Sequence, residues 1–161
     1  MLMQLGQAAL NLFVAVCLGA AIGLERQWRQ RLAGLRTNAL VALGAAIFVT
    51  YSRVVFDEEG AARMAAQVVS GIGFLGAGVI FKEGLNVRGL NTAATLWCSA
   101  AVGLLAGEGF ALYALLAAVL VIGRQHPPAA DRAHHKPPAD RFHRGRAPLP
   151  HLHRLPRRPR F

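Results

Sequence analysis

The sequence predicts an all-α fold: a polytopic membrane helix bundle of five spans, N-terminus out and C-terminus in, followed by a disordered basic tail. Three observations lead there. The chain is 54% apolar and only 16% charged, unlike the mix of a soluble domain. Its apolar residues come in runs of bilayer length. Its charge is segregated: of 18 Lys/Arg in 161 residues, ten fall within residues 124 to 161, together with all eight prolines and all six histidines.

Leu5 to Leu24 carries no charge, and as a helix it covers about 30 Å, the thickness of a hydrocarbon core. No basic residue precedes it and no small-residue cleavage site follows it, so it reads as a retained membrane segment rather than a signal peptide. Ala15, Gly19 and Gly23 recur every four residues, a stripe on which another helix, or a second copy of the chain, could pack closely. The other reading is the plain abundance of Gly and Ala in such a segment.

Glu25 to Asn38 holds Arg26, Arg29, Arg31 and Arg36 beside Trp28, the signature of a cytoplasmic connection whose arginines set topology and touch lipid headgroups. The second span is expected at residues 38–52. Arg53 to Arg63 contains Asp57, Glu58 and Glu59 and fits the outer side. It reads as a solvated loop, or as a carboxylate cluster able to attract a divalent cation.

The third span, 64–81, carries Gly71, Gly73, Gly76 and Gly78. The spacing of Gly71, Gly73 and Gly76 matches a dinucleotide-binding turn, but that turn needs a strand before it, an amphipathic helix after it and an acidic residue about twenty positions on. The residue there is Asn91. The glycines are therefore expected to serve helix packing, with room for a kink that lines a cavity.

Lys82 to Gly89 returns to the cytoplasm, and the fourth span runs over 90–106. Gly107, Glu108 and Gly109 interrupt it before a fifth, 110–123. A single helix from Leu90 to Gly123 would reach about 50 Å, too long for a bilayer, and would carry the basic tail to the wrong side.

Wound at about 100° per residue, Asn91, Thr92, Thr95, Cys98 and Ser99 share about a third of the fourth helix. An unpaired amide in lipid is costly, so this face is expected against protein, on the glycine-lined side of the third span. It reads either as interhelical glue or as a binding site at the cytoplasmic mouth of the two helices. Cys17 and Cys98 sit within apolar segments and are expected as buried thiols.

No histidine precedes residue 126, so a Ser/His or Cys/His catalytic pair would have to recruit the tail. Enzymatic activity, a cofactor, a metal centre and nucleic-acid binding are not expected. The tail is too proline-rich and too charged to fold. Its arginines could hold anionic lipid, and His134, His135, His151 and His153 could capture a transition metal. Its abrupt Arg/Pro/His/Ala composition also fits a GC-rich gene read in a shifted frame from about codon 124.

GLERQ at Gly23–Gln27, AGLRTNALVALGAA at Ala33–Ala46, SGIGFLGAGVIFKEG at Ser70–Gly84 and VRGLNTAATLWCSAAVGLLAG at Val87–Gly107 resemble the hydrophobic domain of the MgtC/SapB family of bacterial inner-membrane proteins. The resemblance covers nearly all of residues 5–123. It implies a multi-pass inner-membrane protein linked to growth in low magnesium and, for the family's name-giving member, to survival inside macrophages and restraint of the F-type ATP synthase. The positions important to the family fall here on Asn91, Cys98 and Glu83, and the residues add Thr95 on the same face. The departure comes after Gly123, where the name-giving member has a soluble domain resembling the ACT fold and this tail shows no such patterning.

The function expected is therefore a non-enzymatic regulator that contacts membrane lipid and another inner-membrane protein, such as the ATP synthase, with self-association a further candidate. The alternative is a magnesium or other ion transporter. Against it, no carboxylate lies inside a predicted span: Glu25, Glu83 and Glu108 sit at the ends, whereas intramembrane acids usually mark cation pathways.

Overall fold

A computed structural model describes residues 2–56, 58–83 and 86–125. The expectations for Asp57 and for the tail beyond residue 125 lie outside the described residues. Five helices and one short hairpin follow in order: α1 (Leu2–Trp28), α2 (Leu35–Val55), α3 (Glu58–Gly78), β1 (Phe81–Glu83), β2 (Asn86–Arg88), α4 (Leu90–Gly107) and α5 (Ala111–Gln125). Leu5–Trp28, Leu35–Val55 and Leu90–Gly107 are long and apolar enough to cross a membrane, and α5 is a shorter apolar helix.

Small residues fill the interior and large ones line the outside. One core cluster joins Ala15, Ile22, Ala46, Val102, Ala106, Ala114 and Ala118; a second joins Ala45, Ile72 and Ala100. Leu10, Phe13, Phe48, Phe74, Leu112 and Leu116 are exposed. A water-soluble bundle would place these side chains inside. In lipid the pattern follows from physics, because apolar surface gains nothing from leaving hydrocarbon, and helices associate by close van der Waals approach of small residues.

That approach is closest around α2. A Cβ on Gly19 would lie 2.7 Å from both Ala42 Cβ and the Asn38 carbonyl oxygen, and one on Gly23 would lie 2.6 Å from the Gly34 carbonyl oxygen. The pairing of 19 with 38–42 and of 23 with 34 makes α1 antiparallel to α2. On the other flank of α2, a Cβ on Gly103 would lie 2.1 Å from the Ala42 carbonyl oxygen, and one on Gly107 2.8 Å from that of Ala46. Helices α2 and α4 therefore run parallel, with backbones in near contact along Gly103 and Gly107.

The structure departs from the sequence reading in several places. Helix α3 begins at Glu58, six residues before the expected span, and takes Glu59 into its first turn, where a carboxylate complements the exposed amides of a helix start. The connection expected as plain polar loop forms a hairpin, with Phe81 opposite Arg88, Lys82 opposite Val87 and Glu83 opposite Asn86. Strands of three residues are too short for alternation to announce them. The break between α4 and α5 sits at Gly109, whose φ of +89° suits a residue without a Cβ. Cys17 is exposed rather than buried, and Cys98 is partly exposed.

Candidate functional site

The polar face expected on α4 divides in two. Thr92, Thr95 and Ser99 turn inward and are buried, whereas Asn91 is exposed and Cys98 is partly exposed. At about 100° per residue, Asn91 and Cys98 lie only about 20° apart on the helix, with exposed Ala94 and partly exposed Ala101 on the same strip. Asn91 thus faces away from the bundle instead of against α3. The inward side was already filled by Thr92 and Thr95, which find their partners on α1.

That partner is Arg26, 5% exposed at the end of α1. Its Nη1 donates to Thr95 Oγ1 at 2.9 Å. Its Nη2 donates to Thr92 Oγ1 at 2.7 Å and to the Leu32 carbonyl oxygen at 2.8 Å. Its Nε, at 3.2 Å, faces the carbonyl oxygens of Leu32 and Ala33. Among the described residues no carboxylate pairs with it, so a buried cation is held entirely by neutral oxygens. The planar fork of arginine suits that task, because it reaches a helix and a loop at once.

Asn38 completes the arrangement from α2. Fully buried, it donates through Nδ2 to the carbonyl oxygens of Ala33 at 2.7 Å and Gly34 at 2.9 Å, and accepts from Ser99 Oγ at 2.8 Å. The loop between α1 and α2 is thereby held from two sides. It needs holding, since Gln30 and Ala33 adopt φ of +52° and +56°, each costing about 1–2 kcal/mol for a residue with a Cβ. Thr95 in turn donates to the Asn91 carbonyl oxygen at 2.7 Å. The chain of bonds runs from Arg26 through Thr95 to the backbone that carries the outward Asn91.

The far end of α4 is anchored as well. Asn11 Nδ2 and Thr50 Oγ1 donate to the Gly107 carbonyl oxygen at 3.3 and 3.2 Å, and Arg53 Nη1 donates to that of Glu108 at 2.6 Å. Carbonyls left open by the end of a helix are satisfied in this way.

The remaining sequence-predicted residues scatter. Glu83 closes β1, paired in register with Asn86. Gly19 and Gly23 lie against α2. Of the glycines between Gly71 and Gly78, only Gly76 would bring a Cβ near another helix, 3.6 Å from Ala93 Cβ, and nothing lies within 4 Å at Gly71, Gly73 or Gly78; at the start of α3, a Cβ on Gly60 would lie 3.3 Å from Ser52 Oγ of α2. Instead, Gly73 and Gly76 line a shallow groove of about 380 Å³ with Ala93, Ala94 and Trp97. The sequence reading missed Arg26 and Asn38 as interior groups, and missed Gly103 and Gly107. For the glycines a signal existed: Ser99, Gly103 and Gly107 repeat every four residues, as Ala15, Gly19 and Gly23 do.

Comparison with known proteins fixes the family. The model of the MgtC family matches residues 12–125. The chain belongs to the MgtC family. It is 63% identical over 118 residues to a protein named MgtC from Brucella abortus strain 2308, covering 73% of this chain and 50% of the relative. It is likewise 63% identical over 113 residues to a protein of that name from Salmonella typhimurium strain LT2, covering 70% and 48%. The chain thus spans about half the length of the curated relatives it matches. No solved structure matches. The MgtC family is not a known enzyme family, and its membership together with three apolar helices of spanning length marks a membrane protein.

Proposed function

We propose that this chain is a non-enzymatic, five-span protein of the bacterial inner membrane that acts by contacting another membrane protein. The resemblance to the MgtC family suggests adaptation to low magnesium and intracellular survival as its setting, and the F-type ATP synthase as a candidate partner. The observation that carries the reading is the outward strip of Asn91, Ala94, Cys98 and Ala101. A primary amide is exposed there and a thiol partly exposed, interleaved with alanines that let a neighbouring helix come close. The interior groups, by contrast, are committed to one another: Arg26 to Thr92 and Thr95, Asn38 to Ser99.

Charge supports the orientation with N-terminus out and C-terminus in. The end of the bundle where α1 finishes carries Arg26, Arg29, Arg31, Arg36, Lys82, Arg88 and Arg124 against Glu25 and Glu83, whereas the opposite end carries Arg53 and Arg63 against Glu58, Glu59 and Glu108. The basic end belongs in the cytoplasm, where the first turn of α4 presents Asn91. In that orientation α3 and α5 are also spans, α5 being short enough to need help from the interfacial Phe110 and Arg124.

Complementation tests the proposal. Asn91→Leu is expected to reach the membrane at the parent's level and to fail to support growth in low magnesium. Equal growth of mutant and parent at matched membrane levels would remove Asn91 from the working surface.

A further inference from the structure

Helix α3 packs by one side only. Gly60, Ala61 and Ile72 are buried and Met64, Ala65, Val68 and Gly76 half-buried, while Glu59, Arg63, Gln67, Ser70 and Phe74 are exposed. At about 100° per residue these five fall within about 80° of the circumference. Glu59, Arg63, Ser70 and Phe74 lie opposite Ala61 and Ile72, while Gln67 lies about 20° from Gly60 and, with Arg63, edges a shallow pocket beside Ser52 and Phe56 at the end of α2. This is not a lipid-compatible face. Ile72 packs with Ala45 and Ala100, which lie near the middle of α2 and α4, so the level of Ile72 marks the centre of the bundle. At about 1.5 Å per residue, Ser70 lies about 3 Å from that level, Gln67 about 8 Å and Arg63 about 14 Å, all within the half-thickness of a hydrocarbon core, and Glu59 at about 20 Å reaches the interface.

Among the described residues, no hydrogen bond or ion pair joins Glu59, Arg63 or the Gln67 amide to the rest of the chain. An exposed amide at that depth, at the rim of the pocket beside Ser52 and Phe56, would lack the partners it had in water. A protein surface with matching donors and acceptors removes the penalty. The pattern of charge says which surface. Two copies inserted the same way can only meet about an axis along the membrane normal, so each residue meets its own level. Arg63 lies one helical turn, about 6 Å, below Glu59, a distance the long arginine side chain spans by extending along the axis to the other copy's Glu59, away from the Arg63 at its own level. A primary amide both donates and accepts, so the two Gln67 side chains satisfy each other one turn deeper. The stripe is complementary to itself.

We propose that this face of α3 is a homodimer interface, with two copies joined through reciprocal Glu59–Arg63 pairs, a Gln67–Gln67 contact and Phe74 packed near the centre. Gly19 and Gly23 cannot serve that purpose, being occupied by α2. The dimer face is separate from the α4 strip to which the proposed function is assigned, and either can fail without the other.

Charge exchange in the full chain tests it. Two differently tagged copies are co-expressed, the membranes are solubilised in mild detergent, and the recovery of one tag with the other is measured. The parent is expected to co-purify with itself. Glu59→Arg makes the stripe wholly basic and Arg63→Glu makes it wholly acidic, and each alone is expected to lower self-recovery by about tenfold, the equivalent of about 1.4 kcal/mol. The double variant Glu59→Arg/Arg63→Glu restores the reciprocal pairs and is expected to recover, as is the mixture of the two single variants. That rescue separates a lost interface from a misfolded chain. Self-recovery unchanged by either single reversal, no self-recovery of the parent, or failure of both rescue combinations would overturn the proposal, as would another membrane protein co-purifying through this face in place of a second copy.

Discussion

Arg26 Nη2 donates to Thr92 Oγ1 at 2.7 Å, joining the end of α1 to the first turn of α4 across 66 positions of sequence. With Thr95 on the next turn, this fixes where α4 starts and hence where Asn91 points. Arg26→Leu keeps much of the apolar stem but leaves two hydroxyls and the Leu32 carbonyl without their donor, while the Ala33 carbonyl keeps only Asn38 Nδ2. The expected loss is on the order of 3 kcal/mol, since several bonds to one charge go together. Arg26→Lys offers a point charge without the fork and is expected to recover only part of it. Thermal unfolding in detergent reads the difference, and a lysine variant as stable as the parent would contradict the bidentate reading.

Among the glycines of the described helices, Gly103 makes the closest approach to a neighbouring helix. Any side chain there would meet the Ala42 carbonyl, 2.1 Å from an added Cβ. Gly103→Val is expected to cost at least about 3 kcal/mol, at the upper end of overpacking penalties, because the obstacle is backbone and cannot rotate away. Gly71→Ala, at a position with open space, is expected to be neutral or slightly stabilising, since alanine is the better helix former by about 1 kcal/mol. Matched expression and unfolding assays of the two variants give the comparison, and similar losses at both sites would be inconsistent with the packing described.

Ala33 adopts a left-handed conformation with φ of +56° while its carbonyl accepts from Asn38 Nδ2 and Arg26 Nε. Ala33→Gly relieves the strain but enlarges the unfolded ensemble. The net is expected to be a gain of up to about 1 kcal/mol. Ala33→Val should lose stability for the same reason. A lower unfolding midpoint for the glycine variant would show that the loop is not held against strain.

Asn38 and Ser99 share a buried hydrogen bond of 2.8 Å. Ser99→Ala leaves the Asn38 oxygen without its donor and is expected to cost about 1–3 kcal/mol. Asn38→Leu removes the loop's anchor as well and is expected to cost more. In a double-mutant cycle the two losses should fall short of additive, by about 1 kcal/mol, because one shared bond is counted twice. Strict additivity in unfolding measurements would mean that the bond contributes nothing.

Much of the helical layout was legible in the sequence, because bilayer-length apolar runs and charged connections leave few alternatives. The break at Gly107–Gly109 was legible for the same reason. What escaped was directional. Asn91 and Thr95 are both polar and lie about 40° apart on α4, and nothing local says that Thr95 meets a cation from α1 while Asn91 does not. Arg26 looked like one of four topology-setting arginines, since its burial depends on a contact 66 residues away. The glycine run of α3 drew attention by density, yet the tight contacts are at Gly19, Gly23, Gly103 and Gly107, where spacing rather than number places the glycine on the packed side. The hairpin between α3 and α4 was too short to carry a pattern.

The strip of α4 bearing Asn91 and Cys98 is the surface proposed to meet another membrane protein. A photoreactive side chain placed at Ala94, between the two, measures this in native membranes. A discrete crosslinked product containing a second inner-membrane protein is expected, lost when Asn91→Leu is added to the same chain, while the same probe at exposed Leu112 of α5 labels lipid. Labelling of lipid alone from Ala94, or a protein product unaffected by Asn91→Leu, would contradict the proposed contact.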